Sequence, residues 1–122
     1  MVVLFVYGTL MQGGVRHRVL ANQRFLGEAR TQPSYALYNL GPYPGLVRAT
    51  ANGRAIHGEL YEIDDGLIAR LDRIEGAPSL FRLEPIPIEN YPGRAFAYFY
   101  QGGIDGFSRC AEDCWKTKRF TS

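Results

Sequence analysis

The apolar residues of this chain fall in short runs divided by glycine, proline and polar clusters. The spacing inside each run predicts its element. The apolar stretch Val2-Val3-Leu4-Phe5-Val6-Tyr7 is unbroken and rich in β-branched and aromatic types, which reads as a strand buried on both faces. It ends in Gly8-Thr9-Leu10, so backbone N–H groups at the tip of a rigid strand can cradle an anion or a carbonyl; read alone, Gly8 can equally serve only to bend the chain. Met11-Gln12-Gly13-Gly14 is a flexible turn, and residues 15–22 predict a short helix with Val15, Val19 and Leu20 facing inward. Residues 25–29 and 35–38 predict short strands. Gly41-Pro42-Tyr43-Pro44-Gly45 predicts a loop, because its prolines and glycines oppose regular structure. Residues 46–49 predict another strand, and Asn52-Gly53 predicts a hairpin joining it to residues 54–63, the longest strand candidate.

Further on, the period changes. Asp64-Asp65 can cap a helix over 67–75, in which Leu67, Leu71 and Ile74 form one apolar stripe. Gly76 and Pro78 stop it. Residues 80–88 predict an edge strand, because Pro85 and Pro87 cannot donate to a ladder. Tyr91-Pro92-Gly93 predicts a turn into an aromatic-rich strand over 94–100 that pairs with it, closed by Gly102-Gly103. The tail is expected to hold one short helix around 111–115. This order predicts an α+β fold, a small mixed or antiparallel β-barrel with flanking helices.

Composition narrows the function classes. The 122 residues make one domain spanning 1–122, large enough for a real core. The aromatic share, with eight Tyr and seven Phe, supports a β-rich body. A formal charge of +2 gives no electrostatic case for a nucleic-acid partner, although aromatic strands invite the comparison with small β-barrel binders of single strands. No run approaches the roughly 20 apolar residues that span a bilayer. The N-terminal run lacks a basic leader and a small-residue cleavage site, so it does not read as a signal peptide. Cys110 and Cys114 have no second Cys or His pair nearby, which argues against zinc and for two free thiols in a cytoplasmic protein.

The acid that stands out is Glu75. On a helical wheel it lies about 40° from Leu71 and leans toward the apolar stripe. It also sits in the last turn, at the negative end of the helix dipole. Burial and dipole both disfavour the charged form and raise the pKa toward the range of a general base; the plainer alternative is a surface glutamate at a frayed helix end. Asp72 and Arg73 are expected to face solvent. Glu59 is expected either to line a cavity beside Glu75 or to pair with a strand neighbour such as Arg48. His17 reads as a surface histidine, and His57 as a strand residue that simply packs. Tyr98 and Tyr100 share a face with Phe96, where one hydroxyl can reach a pocket. Lys116, Lys118 and Arg119 form a solvated basic tail, and Gly13-Gly14 lacks the Gly-Lys-Ser/Thr of a nucleotide loop.

Several segments, in order, resemble the γ-glutamylcyclotransferase-like superfamily, which includes γ-glutamylamine cyclotransferase, AIG2-like proteins and the butirosin-pathway cyclotransferase. Phe5-Val6-Tyr7-Gly8-Thr9-Leu10 is similar to its Tyr-Gly-Thr/Ser-Leu signature, followed at the family's distance by His17-Arg18-Val19-Leu20. Tyr43-Pro44-Gly45-Leu46 resembles its Tyr-Pro-Gly turn, and His57-Gly58-Glu59-Leu60-Tyr61 its Gly-Glu-Val/Leu-Tyr strand. Leu71-Asp72-Arg73-Ile74-Glu75-Gly76 resembles its Leu-Asp-x-x-Glu-Gly segment. The resemblance implies a small barrel whose cavity lies between the signature turn and the helix-end glutamate. It implies an enzyme that releases 5-oxoproline and a free amine from a γ-glutamyl amine or amide. Tyr7, Gly8, Thr9 and Leu10 would hold the glutamyl head, and Glu75 would accept and donate the proton. No cofactor or metal is implied, the partner is a small molecule, and a monomer or weak dimer is expected.

The chain departs from the family pattern at named places. Met11 and Arg16 stand where Lys and Asn are frequent. Phe81 stands where a Tyr is usual and Leu83 where an Arg is usual, with Arg82 between them. These departures bear on substrate more than on chemistry, and they motivate the alternative of a non-catalytic module that binds glutamyl-like or 5-oxoproline-like ligands.

Overall fold

The structure is a computed structural model and describes residues 1–110 and 113–115. In chain order its elements are β1 (Val2–Val6), a 3₁₀ turn (His17–Leu20), β2 (Arg24–Arg30), β3 (Tyr35–Asn39), β4 (Pro44–Arg48) and β5 (His57–Ile63). Then come α1 (Asp65–Glu75), β6 (Phe81–Ile88), β7 (Tyr91–Tyr100) and a two-residue β8 (Ser108–Arg109). Five strands form one sheet in the order β2-β5-β1-β7-β6, and three form a second in the order β4-β3-β8.

β1 is the middle strand of the large sheet. It runs antiparallel to β5, from Val2 opposite Ile63 to Val6 opposite Glu59, and parallel to β7, with Leu4 opposite Phe96. The sheet is therefore mixed. Both faces of β1 are covered, as its unbroken apolar run requires. Phe5 and Tyr7 pack with Tyr35, Leu37 and Leu46 of the small sheet. Leu4 and Val6 pack on the other side with Leu20, Leu71 and Tyr98. β7 divides its residues the same way, with Ala95, Ala97 and Phe99 on the first side and Tyr98 on the second.

Several expectations change here. The strands do not hydrogen-bond into one closed barrel among the described residues. Instead the two edges of the large sheet meet at a single corner, where Thr31 bridges Ile88 and Glu89 N–H donates to Arg30 O at 2.8 Å. Asn52-Gly53 is not a hairpin: β4 pairs with β3, while β5 pairs with β1 and β2, so the connection carries the chain from one sheet to the other. The turn between β6 and β7 falls at Glu89-Asn90, with Asn90 at φ 60°, and Tyr91 to Gly93 belong to β7. Pro44 and Gly45 belong to β4, with Pro44 as its first residue, a place where a missing N–H is tolerated.

The predicted helix over 15–22 contracts to the 3₁₀ turn; Leu20 is buried, but Val15 is exposed. Asp64 is the N-cap of α1 by position, without a side-chain cap bond. Gly76 ends α1 in the left-handed conformation, φ 66°, as its position predicts. β6 is an edge strand whose one neighbour in the sheet is β7, apart from the bridge of Ile88 to Thr31. The tail helix around 111–115 falls partly outside the described residues; Asp113 and Cys114 lie in a bend. Lys116, Lys118 and Arg119 lie outside the described residues. Neither cysteine forms a disulfide. No helix among the described residues is long and apolar enough to cross a membrane.

Glycine at 58 is demanded by close approach. A Cβ there would lie 2.3 Å from Val6 O and 2.7 Å from the Phe5 ring. At Gly66, in the first turn of α1, a Cβ would meet nothing within 4 Å. Gly58→Ala should therefore destabilise the fold by about 2 kcal/mol or more through overpacking. Gly66→Ala should stabilise it by about 0.5–1 kcal/mol. Denaturant midpoints of the two variants, measured side by side, check both signs.

Candidate active site

The segment after β1 is held almost entirely through its carbonyls. Met11 N–H donates to Gly8 O at 3.0 Å, and Arg16 N–H donates to Thr9 O at 2.9 Å. His17 Nδ1 donates to Leu10 O at 3.0 Å. One step further on, Gln12 N–H donates to the buried Glu59 carboxylate at 3.0 Å. The N–H groups of Gly8, Thr9 and Leu10 have no acceptor among the described residues. Gly8 has an ordinary φ and is needed for another reason: a Cβ there would lie 2.8 Å from Pro44 Cγ. The glycine admits the start of β4 against the turn, rather than bending the chain.

Glu75 is the last residue of α1 and is half-buried. Burial pushes its carboxyl up to about 7, against the opposing pull of the Arg16 guanidinium. Glu75 and the Gly8-Thr9-Leu10 turn line one narrow cavity of about 30 Å³ that opens to solvent. Its floor is made of buried groups, among them Tyr7, Gly8, Leu10, Pro44, Phe81 and Tyr98. Thr9, Arg16, Tyr43 and Glu75 are half-buried and form its rim.

Tyr7 lines the cavity, but its hydroxyl is engaged within the protein. It donates to Tyr98 O at 2.6 Å and accepts from Leu46 N–H at 3.4 Å, and burial, with Glu75 nearby, raises its pKa well above the usual phenol value. Tyr98 donates to Asp72 Oδ1 at 2.7 Å. Asp72 is therefore not a solvent-facing acid, whereas Arg73 is exposed as expected. Burial, reinforced by that hydrogen bond, raises the Tyr98 pKa too.

Other candidates fall elsewhere. Glu59 is buried but does not line the cavity, and Arg48 pairs with Glu84 at 2.9 Å rather than with Glu59. Glu59 accepts from Tyr61 OH at 3.1 Å as well as from Gln12 N–H, so it secures the end of the turn. His17 is half-buried and bonded to Leu10 O, not a free surface side chain. His57 is exposed, not packed. Tyr100 packs against Phe81, ring centroids 5.5 Å apart. No group of three or more His, Cys, Asp or Glu residues among the described ones could hold a metal ion.

The cavity also contains Tyr98, one of the two tyrosines expected to be able to reach a pocket, Tyr43, Pro44 and Phe81 from the 41–45 loop and the 77–82 segment, and Arg16, which sequence reasoning did not place there. Arg16 and Phe81 stood out only as departures from a pattern. Tyr43 and Pro44 stood in a turn whose neighbours the sequence does not reveal.

The chain belongs to the γ-glutamyl cyclotransferase, AIG2-like family, whose model matches residues 4–117. Among curated relatives, the γ-glutamylcyclotransferase family protein YtfP of Escherichia coli K12 is 35% identical over 114 residues, covering 92% of this chain and 94% of that one. A γ-glutamylaminecyclotransferase of Rattus norvegicus is 35% identical over 86 residues, covering 65% of this chain and 58% of that one. Among solved structures, an AIG2-like protein from Mus musculus superposes with a TM-score of 0.73 at 29% identity, covering 81% of this chain and 76% of that one.

The raised pKa of Glu75 has a consequence for stability. A buried carboxyl holds its proton more tightly in the folded than in the unfolded chain. Its contribution is therefore fully present below the ordinary carboxylate pKa and is lost as pH rises through about 7. Glu75→Gln cannot ionise, so its stability relative to the natural protein should rise across that window. Thermal unfolding of the two proteins across the window measures it. A carboxyl-carbon NMR titration should place the Glu75 midpoint near 7.

Proposed function

We propose that the chain is a γ-glutamyl cyclotransferase that releases 5-oxoproline and a free amine from a γ-glutamyl amine or amide. The observation that carries the reading is the shared cavity. A carboxyl with its pKa pushed up to about 7 stands on the same small space as a turn whose N–H groups have no acceptor among the described residues.

The chemistry follows from those parts. The substrate's α-amine arrives as an ammonium and cannot attack until Glu75 takes a proton from it. The freed amine attacks the γ-carbonyl carbon of the same molecule, and a C–N bond closes the five-membered ring. A cavity that holds the reactive conformer can supply an effective molarity of roughly 10⁵ M or more. The carbonyl oxygen becomes an oxyanion, which needs donors; the N–H groups of Gly8, Thr9 and Leu10 are the candidates, each well-placed one contributing about 3 kcal/mol. The bond to the leaving nitrogen then breaks as Glu75 returns its proton to that nitrogen, and the ring nitrogen gives up its second proton to the carboxylate so formed, which releases it to the departing amine or to solvent. One acid serves all these transfers. The turn residues Tyr7, Gly8, Thr9 and Leu10 form the seat of the glutamyl head, Tyr7 through its ring, the others through backbone.

Purified protein given a panel of γ-glutamyl compounds should release 5-oxoproline. Glu75→Gln should lower kcat/KM by about 10²–10⁴-fold, the usual worth of a general acid–base group, with the fold intact by circular dichroism. The rate should rise with pH through about 7, because the base must be ionised before it can act. Full activity in Glu75→Gln would falsify the mechanism. The chain also carries Phe81, which has no hydroxyl, on the cavity floor, and this favours a second reading as a binding module. Binding of 5-oxoproline without turnover of any γ-glutamyl compound would establish that reading instead.

A further inference from the structure

We propose that Asn52 is a site of spontaneous deamidation that the fold itself promotes: the nitrogen of Gly53 closes on the Asn52 carboxamide, and Arg109 holds the peptide group that joins them. The modification consumes only water and is independent of the cyclisation proposed above. The chain has four asparagines, and Asn52 alone is followed by glycine; Gln23, Leu40 and Tyr91 follow the others. A side chain on the following residue shields the attacking nitrogen, and glycine has none.

The fold demands this labile pair. Asn52 has φ 54°, a left-handed conformation that asparagine tolerates well for a residue with a Cβ. A Cβ at Gly53 would lie 2.7 Å from Pro33 O and 3.0 Å from Ser34 Cα, so that position excludes a side chain. Both residues are exposed, and water reaches them. Neither the Asn52 carboxamide nor the Gly53 N–H has a hydrogen-bond partner among the described residues. The carboxamide is therefore free to rotate onto a nitrogen that no ladder protects.

Arg109 adds what the dipeptide alone does not have. Its Nη1 donates to Asn52 O at 2.8 Å and its Nη2 donates to Ala51 O at 3.3 Å. The guanidinium forms no ion pair with an acid among the described residues, and it stands 5.9 Å from the Tyr38 ring centroid. β8 fixes its origin, with Arg109 opposite Tyr38 of β3. Asn52 O belongs to the same peptide group as the Gly53 nitrogen. When that nitrogen gives up its proton, the negative charge spreads onto the oxygen that Arg109 already grips. A positive donor fixed there beforehand stabilises the anion as an oxyanion hole does.

The steps balance with water alone. Hydroxide takes the Gly53 N–H proton, and the nitrogen attacks Cγ of Asn52. The new N–Cγ bond closes a five-membered imide, favoured by proximity within one chain. The bond from Cγ to the carboxamide nitrogen breaks, and that nitrogen takes a proton from water and leaves as ammonia. Water then opens the ring. Attack at Cγ gives aspartate at position 52. Attack at the main-chain carbonyl breaks the original peptide bond and gives isoaspartate, with the chain running through Cβ and Cγ. Arg109 polarises that carbonyl, so it directs water there, and the carboxylate released is left against its guanidinium. The isoaspartyl chain is longer by a methylene carbon beside the close approach to Pro33 and Ser34.

Peptide mapping by mass spectrometry follows the purified protein in warm, mildly alkaline buffer, folded and in guanidinium chloride. In the folded chain, position 52 should convert to aspartate and isoaspartate while Asn22, Asn39 and Asn90 stay intact. The folded chain should convert at least as fast as the denatured one, and with a larger isoaspartate fraction. Arg109→Gln should slow the folded reaction about tenfold, the worth of a hydrogen bond from a charged donor, and should return the isoaspartate fraction to its denatured value. Arg109→Lys should fall between. Neither variant should change the denatured rate. Where Arg109→Gln unfolds, the folded-to-denatured comparison of the natural chain decides the matter without it. Asn52 left intact in the folded chain, conversion slower there than in denaturant, an isoaspartate fraction that folding does not raise, or a folded Arg109→Gln variant as fast as the natural chain each overturns the inference.

Discussion

β1 has no free face and no free edge. β5 and β7 flank it, and the two halves of the core close on its alternating side chains. A strand constrained on four sides cannot shift by a residue without turning every apolar side chain to the wrong layer. Its last residue therefore delivers Gly8, Thr9 and Leu10 to one place. Everything at the cavity inherits that precision. Pro44 can sit against the turn only because Gly8 lacks a side chain, and Gly58 lets β5 lie close to Val6 and Phe5.

The turn is then secured from its acceptor side. Met11, Arg16 and His17 use up the carbonyls of Gly8, Thr9 and Leu10, and Glu59 takes the N–H of Gln12. A loop satisfied in this way spends little of its own donor capacity on folding. Backbone donors held rigid ahead of the reaction need no reorganisation when charge develops, the condition under which they are most effective. Glu75 complements them for the opposite reason. Its carboxyl is placed where charge is disfavoured, largely out of water at the last residue of a helix, so proton gain and loss cost similar energy near neutral pH.

What could be read in the sequence was what local pattern determines. The run from Val2 to Val6, the stripe of Leu67 and Leu71 leading to Glu75, the stop at Gly76 and the edge prolines of β6 are each written within a few residues. The juxtaposition of the turn and Glu75 came only from family resemblance, because nothing in spacing relates residues so far apart. Partner choice was illegible for the same reason. Asn52-Gly53 has hairpin chemistry, yet β5 finds β1 and β2 more rewarding than β4, and the turn becomes a crossing between sheets. Glu59 reads as an acid in a strand, and only the fold brings Gln12 to it. The predicted helix over 15–22 failed because the stretch must return Arg16 and His17 to the turn carbonyls, and a tight 3₁₀ turn does this where a regular helix would point Val15 inward.

The corner at Thr31 and Ile88 bears on a different property of the molecule, its solubility. An open five-stranded sheet offers two rows of unsatisfied backbone groups on which another chain can add a strand. Here β6 carries Pro85 and Pro87, which remove donors from one row. β2 is interrupted by an irregularity between Phe25 and Gly27, the latter at φ 134°, which twists the other row out of line. The bridge pulls the two rows toward each other where they would otherwise end in solvent. Exposed Phe25 and Leu26 thus sit on a border that cannot easily template a fibril, and the cavity can open to water without leaving the flanks of the sheet adhesive.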